Sequence, residues 1–150
     1  MERAVATRIT GIAAGGTGVG RLPDGRAVFV HRTAPGEDVR VRVVETKRRW
    51  ARAELVEVVG ASPERRAAPC PHYARCGGCT LQHLRYDAQL RAKGGLVVEA
   101  LRRIGGVAAP EPEVIGSPQE FRYRNRVSFM LLRSPGQPVT AGVHELRRPD

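Results

Sequence analysis

Three thiols define the chemistry open to this chain. Cys70, Cys76 and Cys79 are its only cysteines, and all three fall between Cys70 and Cys79. The C-x5-C-x2-C spacing, with Gly77 and Gly78 between the last pair, is the pattern of ligands rather than of packing. Thiolates are soft donors that suit iron–sulfur clusters and zinc. Two residues without a Cβ let the backbone fold tightly and aim Cys76 and Cys79 at one point. Zinc would complete its tetrahedron with His72 or His83, so the metal is left open by the spacing alone. Burial as small hydrophobes, or a stray disulfide, is a poor account of a complete cysteine set gathered behind a proline-rich stretch.

Cations form the second chemical resource. Twenty-five basic residues against 15 acidic ones leave a formal charge of +10, and all the lysines are Lys47 and Lys93. Such an excess predicts a polyanionic partner, nucleic acid being the simplest. Arginine supplies bidentate phosphate contacts and stacks on bases. Lys47, Arg48 and Arg49 are consecutive and are expected to touch RNA or DNA. Trp50 follows them, and its ring is expected to turn into the core. A second basic run alternates through Phe121-Arg122-Tyr123-Arg124-Asn125-Arg126.

The first sixty residues must position the cation loop, and they read as five short strands. Val5 to Ile12 is the first. Gly15 to Gly20 fits neither a G-x-G-x-x-G register nor a phosphate loop ending in Lys-Ser or Lys-Thr, and is expected to be a flexible connector. Asp24-Gly25 marks a hairpin returning through Ala27 to Val30. Val39-Arg40-Val41-Arg42-Val43 alternates as a half-buried strand does. Trp50 to Val59 supplies the last. Aromatic residues make up only 5% of the chain, so the core rests on Val, Leu, Ile and Ala. The fold class expected is β-rich: a small five-stranded OB-like barrel, followed by a small α+β segment carrying the cysteines.

Residues 61–69 read as a linker, with Pro63 and Pro69 among small and charged residues. After Cys79, Asp87 is expected to cap a helix reaching about Ile104, with Leu90, Val97, Leu101 and Ile104 on one face. Gly94 and Gly95 weaken it mid-course, and Gly105-Gly106 ends it. A hydrophobic strand growing out of Phe121 to Leu132 turns at Ser134 to Pro138 and pairs with Val139 to Leu146. The N-terminus, with Glu2, Arg3 and Arg8, shows no signal peptide, and no run reaches the ~18 apolar residues of a membrane span. A clustered, odd set of cysteines then points to the reducing cytoplasm.

Taken in order, the Gly-rich barrel, Ser62-Pro63-Glu64-Arg65, Cys70-Pro71-His72, Cys76-Gly77-Gly78-Cys79, Leu81-Gln82-His83 with Tyr86, Gln89 and Lys93, and finally Phe121 to Arg126 resemble the N-terminal part of the bacterial class I RNA (uracil-5-)-methyltransferases of the 23S rRNA type. The resemblance implies a TRAM domain over 1–60, an OB-like RNA-binding barrel. It further implies a linker over 61–69, a cysteine motif plus helix over 70–109, and the start of a central RNA-binding β domain over 110–150. Cys70, Cys76 and Cys79 would hold three irons of a [4Fe-4S] cluster. Arg122, Arg124 and Arg126 would lie on an RNA-facing strand. The partner implied is RNA, rRNA foremost and tRNA second.

Two departures qualify what the resemblance implies. The family's fourth cluster cysteine follows the segment matching Ala141 to Glu145, beyond which this sequence has none. The S-adenosylmethionine-binding α/β domain, with its nucleophilic cysteine and general base, has no counterpart here. The chain is therefore expected to be inactive alone, whether as a fragment, an incomplete gene model or a component whose catalytic domain is separately encoded. Methylthiotransferases also join a TRAM domain to an iron–sulfur site, but with C-x3-C-x2-C and a C-terminal barrel. The remaining alternative is a non-enzymatic OB-fold nucleic-acid binder holding zinc or a cluster.

Overall fold

The alternation that marks Val39 to Val43 is realised as β4 (Asp38–Thr46), whose valines enter the interior while Arg40 and Arg42 face out. The computed structural model describes residues 4–146, so Glu2, Arg3 and the last four residues of the expected 110–150 unit lie outside the described residues. Five strands close a barrel in the order β1-β2-β3-β5-β4, where β1 is Val5–Ile12, β2 Gly18–Arg21, β3 Ala27–Val30 and β5 Trp50–Gly60. The Asp24-Gly25 turn joins β2 to β3 with Gly25 at φ +86°, as a tight hairpin requires. β3 then pairs in parallel with β5, matching Ala27 to Trp50 and Val30 to Ala53, and this pairing completes the closure.

Ile9, Val28, Val30, Val39, Val41 and Ala51 fill the interior. Along β5 the burial alternates, and the small residues Ala51 and Ala53 take the inner positions. Trp50 consequently stands on the outer face, half-buried, packed edge-on against Phe29 with ring centroids 6.1 Å apart. The expectation that Trp50 turns into the core is therefore corrected: Ala51 and Ala53 hold the inner positions of β5, which leaves residue 50 on the outer face.

The Gly15 to Gly20 run is also more ordered than a flexible connector. Its second half is strand β2, paired with both β1 and β3. Gly16 has φ +81°, and a Cβ there would meet Thr80 Oγ1 at 2.4 Å. The loop is thus pressed against the residue that follows Cys79, and only glycine fits the approach.

A second, smaller cluster of Ala34, Leu84 and Ala88, with Ile12 and Leu81 against it, binds the helix α1 (Tyr86–Arg103) to the barrel. The helix runs unbroken through Gly94 and Gly95. Its N-cap is Arg85, which makes no side-chain capping bond; Asp87 lies in the first turn and pairs with Arg91 at 3.1 Å. Asp87 is therefore not the cap, although its charge suits the positive end of the helix. Val97, Leu101 and Ile104 are exposed rather than buried. Beyond the helix, β6 (Met130–Leu132) and β7 (Thr140–Gly142) form a two-stranded ribbon. The strand expected from Phe121 starts nine residues later, and Arg122, Arg124 and Arg126 precede it in an irregular, exposed segment. Arg122 itself has φ +61°, outside any strand conformation. Among the described residues no helix is long and apolar enough to cross a membrane.

Candidate functional site

The cysteine loop is fixed to the barrel by a buried polar joint. Glu37, wholly buried, accepts from the Ala34 amide at 2.8 Å and is bridged by the Arg65 guanidinium, whose Nη2 lies 2.9 Å from Oε2. The same Nη2 donates to the Arg32 carbonyl at 2.7 Å. Burial pushes the Glu37 carboxyl up, but the Arg65 and Ala34 hydrogen bonds outweigh it, so the group stays below the ordinary carboxylate range. Arg65 also pairs with Leu84 through an isolated bridge, while the Arg66 amide donates to the His83 carbonyl at 2.8 Å.

His83 completes the joint. Its Nε2 faces the Thr33 carbonyl at 3.0 Å, and a carbonyl only accepts, so Nε2 carries a proton. Its Nδ1 lies 2.6 Å from the Tyr73 hydroxyl, which is also 2.9 Å from the Thr80 carbonyl. Burial pushes the His83 imidazole towards its neutral form, and burial likewise raises the Tyr73 phenol to about 12. Both ring nitrogens are occupied, so His83 is not available as a fourth zinc ligand without breaking the joint. His72 is exposed and remains open to that role.

Within the loop itself the three cysteines are free thiols, Cys70 and Cys76 half-buried and Cys79 exposed. The Cys70 amide donates to Gln82 Oε1 at 3.2 Å, and the Cys76 amide to the His72 carbonyl at 2.8 Å. The Gly78 amide donates to Cys76 Sγ at 3.3 Å, the kind of contact that steadies a thiolate. Among the described residues, however, no three Cys, His, Asp or Glu side chains converge as a metal-ligand set. The donor types suit a soft metal or a cluster; their positions here do not yet form its cage. Gly77 serves a different close approach: a Cβ on it would stand 3.0 Å from the carbonyls of His144 and Glu145. The backbone after β7 pairs there, Gly77 donating to His144 and Leu146 to Arg75, each at 2.8 Å.

An open cleft lies beside Cys79, lined by Gln89 and Lys93 of the helix and by Arg122 and Arg124 across from them. It brings the second basic run to the cysteine loop. The first run is elsewhere. Lys47, Arg48 and Arg49 form the exposed β4–β5 tip, closed by the Lys47 amide donating to the Trp50 carbonyl at 2.8 Å. By strand register the tip sits at the Ala27–Trp50 end of β3, whereas Val30 leads to Thr33 and the buried joint. Lys47 pairs with Glu45 at 3.2 Å, while Arg126 is not among the residues lining the cleft beside Cys79. Sequence reasoning missed Glu37, Tyr73 and the structural roles of Arg65 and His83. Their partners lie 28 residues apart in the Glu37–Arg65 pair and 50 apart between Thr33 and His83, so no local pattern marks them.

The model of the TRAM domain matches residues 7–56, which is the barrel nearly end to end. An uncharacterized RNA methyltransferase of Gloeobacter violaceus is 44% identical over 137 residues, covering 90% of this chain and 30% of that protein. The 23S rRNA (uracil(1939)-C(5))-methyltransferase RlmD of Methylococcus capsulatus is 42% identical over 137 residues, covering 90% of this chain and 31% of the relative. Among solved structures, the Pyrococcus abyssi tRNA (uracil-54, C5)-methyltransferase in complex with S-adenosyl-L-homocysteine superposes with a TM-score of 0.52 at 32% identity. That match covers 91% of this chain and 28% of the other. The chain spans about 30% of the length of the curated relatives it matches. Residues 7–56 thus match the TRAM domain, and most of the chain is similar to about 30% of the length of proteins named RNA methyltransferases, 23S rRNA and tRNA uracil-C5 enzymes among them.

Proposed function

We propose that this chain is the RNA-binding portion of an S-adenosylmethionine-dependent uracil-C5 methyltransferase acting on rRNA, holding the RNA while a catalytic unit transfers the methyl group. The observation that carries the reading is a TRAM barrel whose exposed tip presents Arg48 and Arg49 without an ion-pair partner among the described residues. Arg122, Arg124 and Lys93 offer a second basic surface at the cysteine loop. Phosphate contacts of this kind release counterions, so binding falls steeply with salt. The 150-residue chain should bind structured RNA in low salt, and charge reversal at Arg48 and Arg49 should lower the slope of log affinity against log salt by roughly 2. Affinity indifferent to salt would overturn the reading. A tRNA substrate in place of rRNA is the second possibility, tested by competition between the two RNAs.

The cysteines enter the same proposal as ligands of an iron–sulfur cluster, supported by three free soft donors in one loop and by the Gly78 amide on Cys76 Sγ. Such a cluster would supply structural cross-linking, since metal binding to a loop with little core of its own is folding energy. The segment after β7, hydrogen-bonded to Arg75 and Gly77, and His72 are the sources of a further ligand at the loop. Iron, sulfide and zinc analysis after anaerobic reconstitution tests the assignment. Equimolar zinc without iron would replace the cluster by a zinc site, and Cys79→Ala should abolish any iron chromophore.

A further inference from the structure

The outer face of β3 and β5 carries an aromatic pair that the barrel does not need. Aromatic residues are scarce in this chain, which has one Trp, three Phe and three Tyr. Yet Trp50 and Phe29 are set side by side outside the core, while alanines occupy the inner positions next to Trp50 and Arg52. A shallow hollow opens between Thr17, Phe29, His31, Trp50 and Arg52. Arg52 is held in place by Glu45 at 2.9 Å, and the same Glu45 carries Lys47, so one carboxylate steadies two cations at the edge of the hollow. Arg48 and Arg49 precede Trp50 directly and lie exposed. Burial and the neighbouring Arg32 and Arg52 charges keep the His31 ring towards its neutral form, so this face presents a flat ring rather than another cation.

We propose that this hollow is a stacking site for one unpaired RNA base, with the Trp50 ring as the platform, Phe29 bracing it edge-on and the Arg48-Arg49 tip holding the adjoining phosphates. The assignment rests on the RNA-binding reading above and adds to it a place and a preference. A flat ring accepts any base, because every base has a π-face, so the site selects strandedness rather than sequence. A duplex keeps its bases stacked on one another and cannot offer one to Trp50. Charge complementarity alone would draw any polyanion to the tip. The aromatic pair is what separates RNA with an unpaired base from a plain string of phosphates.

The lone tryptophan makes the test direct, since all indole emission comes from Trp50. A short unstructured oligoribonucleotide titrated into the full chain should quench that emission saturably. Inorganic polyphosphate should compete for the tip without quenching, and a blunt duplex of the same sequence should quench little. Phe29→Leu, which replaces the ring packed edge-on against the indole by a smaller apolar side chain, should weaken the single strand about two- to fivefold and leave the salt slope unchanged. If the oligonucleotide binds with the usual salt dependence but Trp50 emission does not change, the stacking site is wrong and the electrostatic reading survives. If nothing binds even at low salt, both fall together.

Discussion

Residues 5–60 and residues 101–146 draw on the same Val, Ile and Leu and place them oppositely. In the barrel, Ile9, Val28, Val30, Val39 and Val41 are shut away from water. In the later stretch Ile104, Ile115, Leu131 and Leu132 stand in solvent, and every residue from Phe121 to Glu145 is exposed. The contrast shows how strand count sets the fate of an apolar residue. Five strands closing on themselves satisfy every ladder and enclose an interior, whereas a two-stranded ribbon has nothing to cover either face. The barrel encloses a core of its own, while the later stretch leaves its apolar side chains in water.

The joint between the two regions is where the largest effect is expected. Arg65→Ala leaves Glu37 fully buried with the Ala34 amide but no counter-charge. Breaking a buried pair from one side costs about 3–5 kcal/mol, which is much of a small domain's stability. The pH dependence has a definite sign. In the intact protein the Glu37 carboxyl is held below its ordinary value of 4.5, so its contribution is full above that value and is lost as pH falls through the folded pKa. Without Arg65, burial is left to push the carboxyl up, and the deficit of the variant should shrink towards acid pH as Glu37 takes a proton. Denaturant unfolding of both proteins at neutral and mildly acid pH measures this. A constant deficit at all pH would mean that Arg65 serves only as packing.

How much of this was legible follows from the range of each interaction. Alternation is local, so β4 and the Asp24-Gly25 hairpin could be read from neighbouring residues, and the helix was placed within a residue or two of its ends. Closure through β3 and β5 in parallel joins residues 23 apart and leaves no local mark. The Glu37–Arg65 pair, 28 residues apart, is hidden for the same reason. Trp50 was misplaced because hydrophobicity was weighed without parity: Ala51 and Ala53 claim the inner face, so residue 50 must point out. Arg122, Arg124 and Arg126 alternate as a strand would, but among the described residues no neighbouring strand pairs with them, and alternation without a ladder does not make a strand. That the three thiols share one loop follows from their spacing in sequence, whereas the positions of their sulfurs depend on the backbone path between them.

A direct measure of the barrel's side of the contrast is Ile9→Ala. Ile9 is wholly buried in the barrel core, and its amide also donates to the Glu37 carbonyl at 2.8 Å. Truncation should cost about 2–5 kcal/mol, from lost transfer energy and from the cavity left in a core that cannot collapse without distorting its ladders. The unfolding transition should shift to lower denaturant with an unchanged slope, since the surface exposed on unfolding is nearly the same. A cost under 1 kcal/mol would mean that the interior is loosely packed.

The smallest effect should come from the same substitution in the other region. Ile115 is 89% exposed, beside a stretch that crosses α1 through Val114 and Pro112 at Gly94. Ile115→Ala removes side-chain atoms that already contact water, so neither transfer energy nor a cavity is at stake. The change in stability should stay within about 0.5 kcal/mol. Because Ile9 and Ile115 lose identical atoms, their difference isolates burial from chemistry, and backbone entropy changes are the same to first order. A cost at Ile115 approaching that at Ile9 would show that the later stretch is covered in solution, by a second copy or by another part of its own chain. Repeating the measurement over a range of protein concentrations separates those two, because only self-association strengthens with concentration.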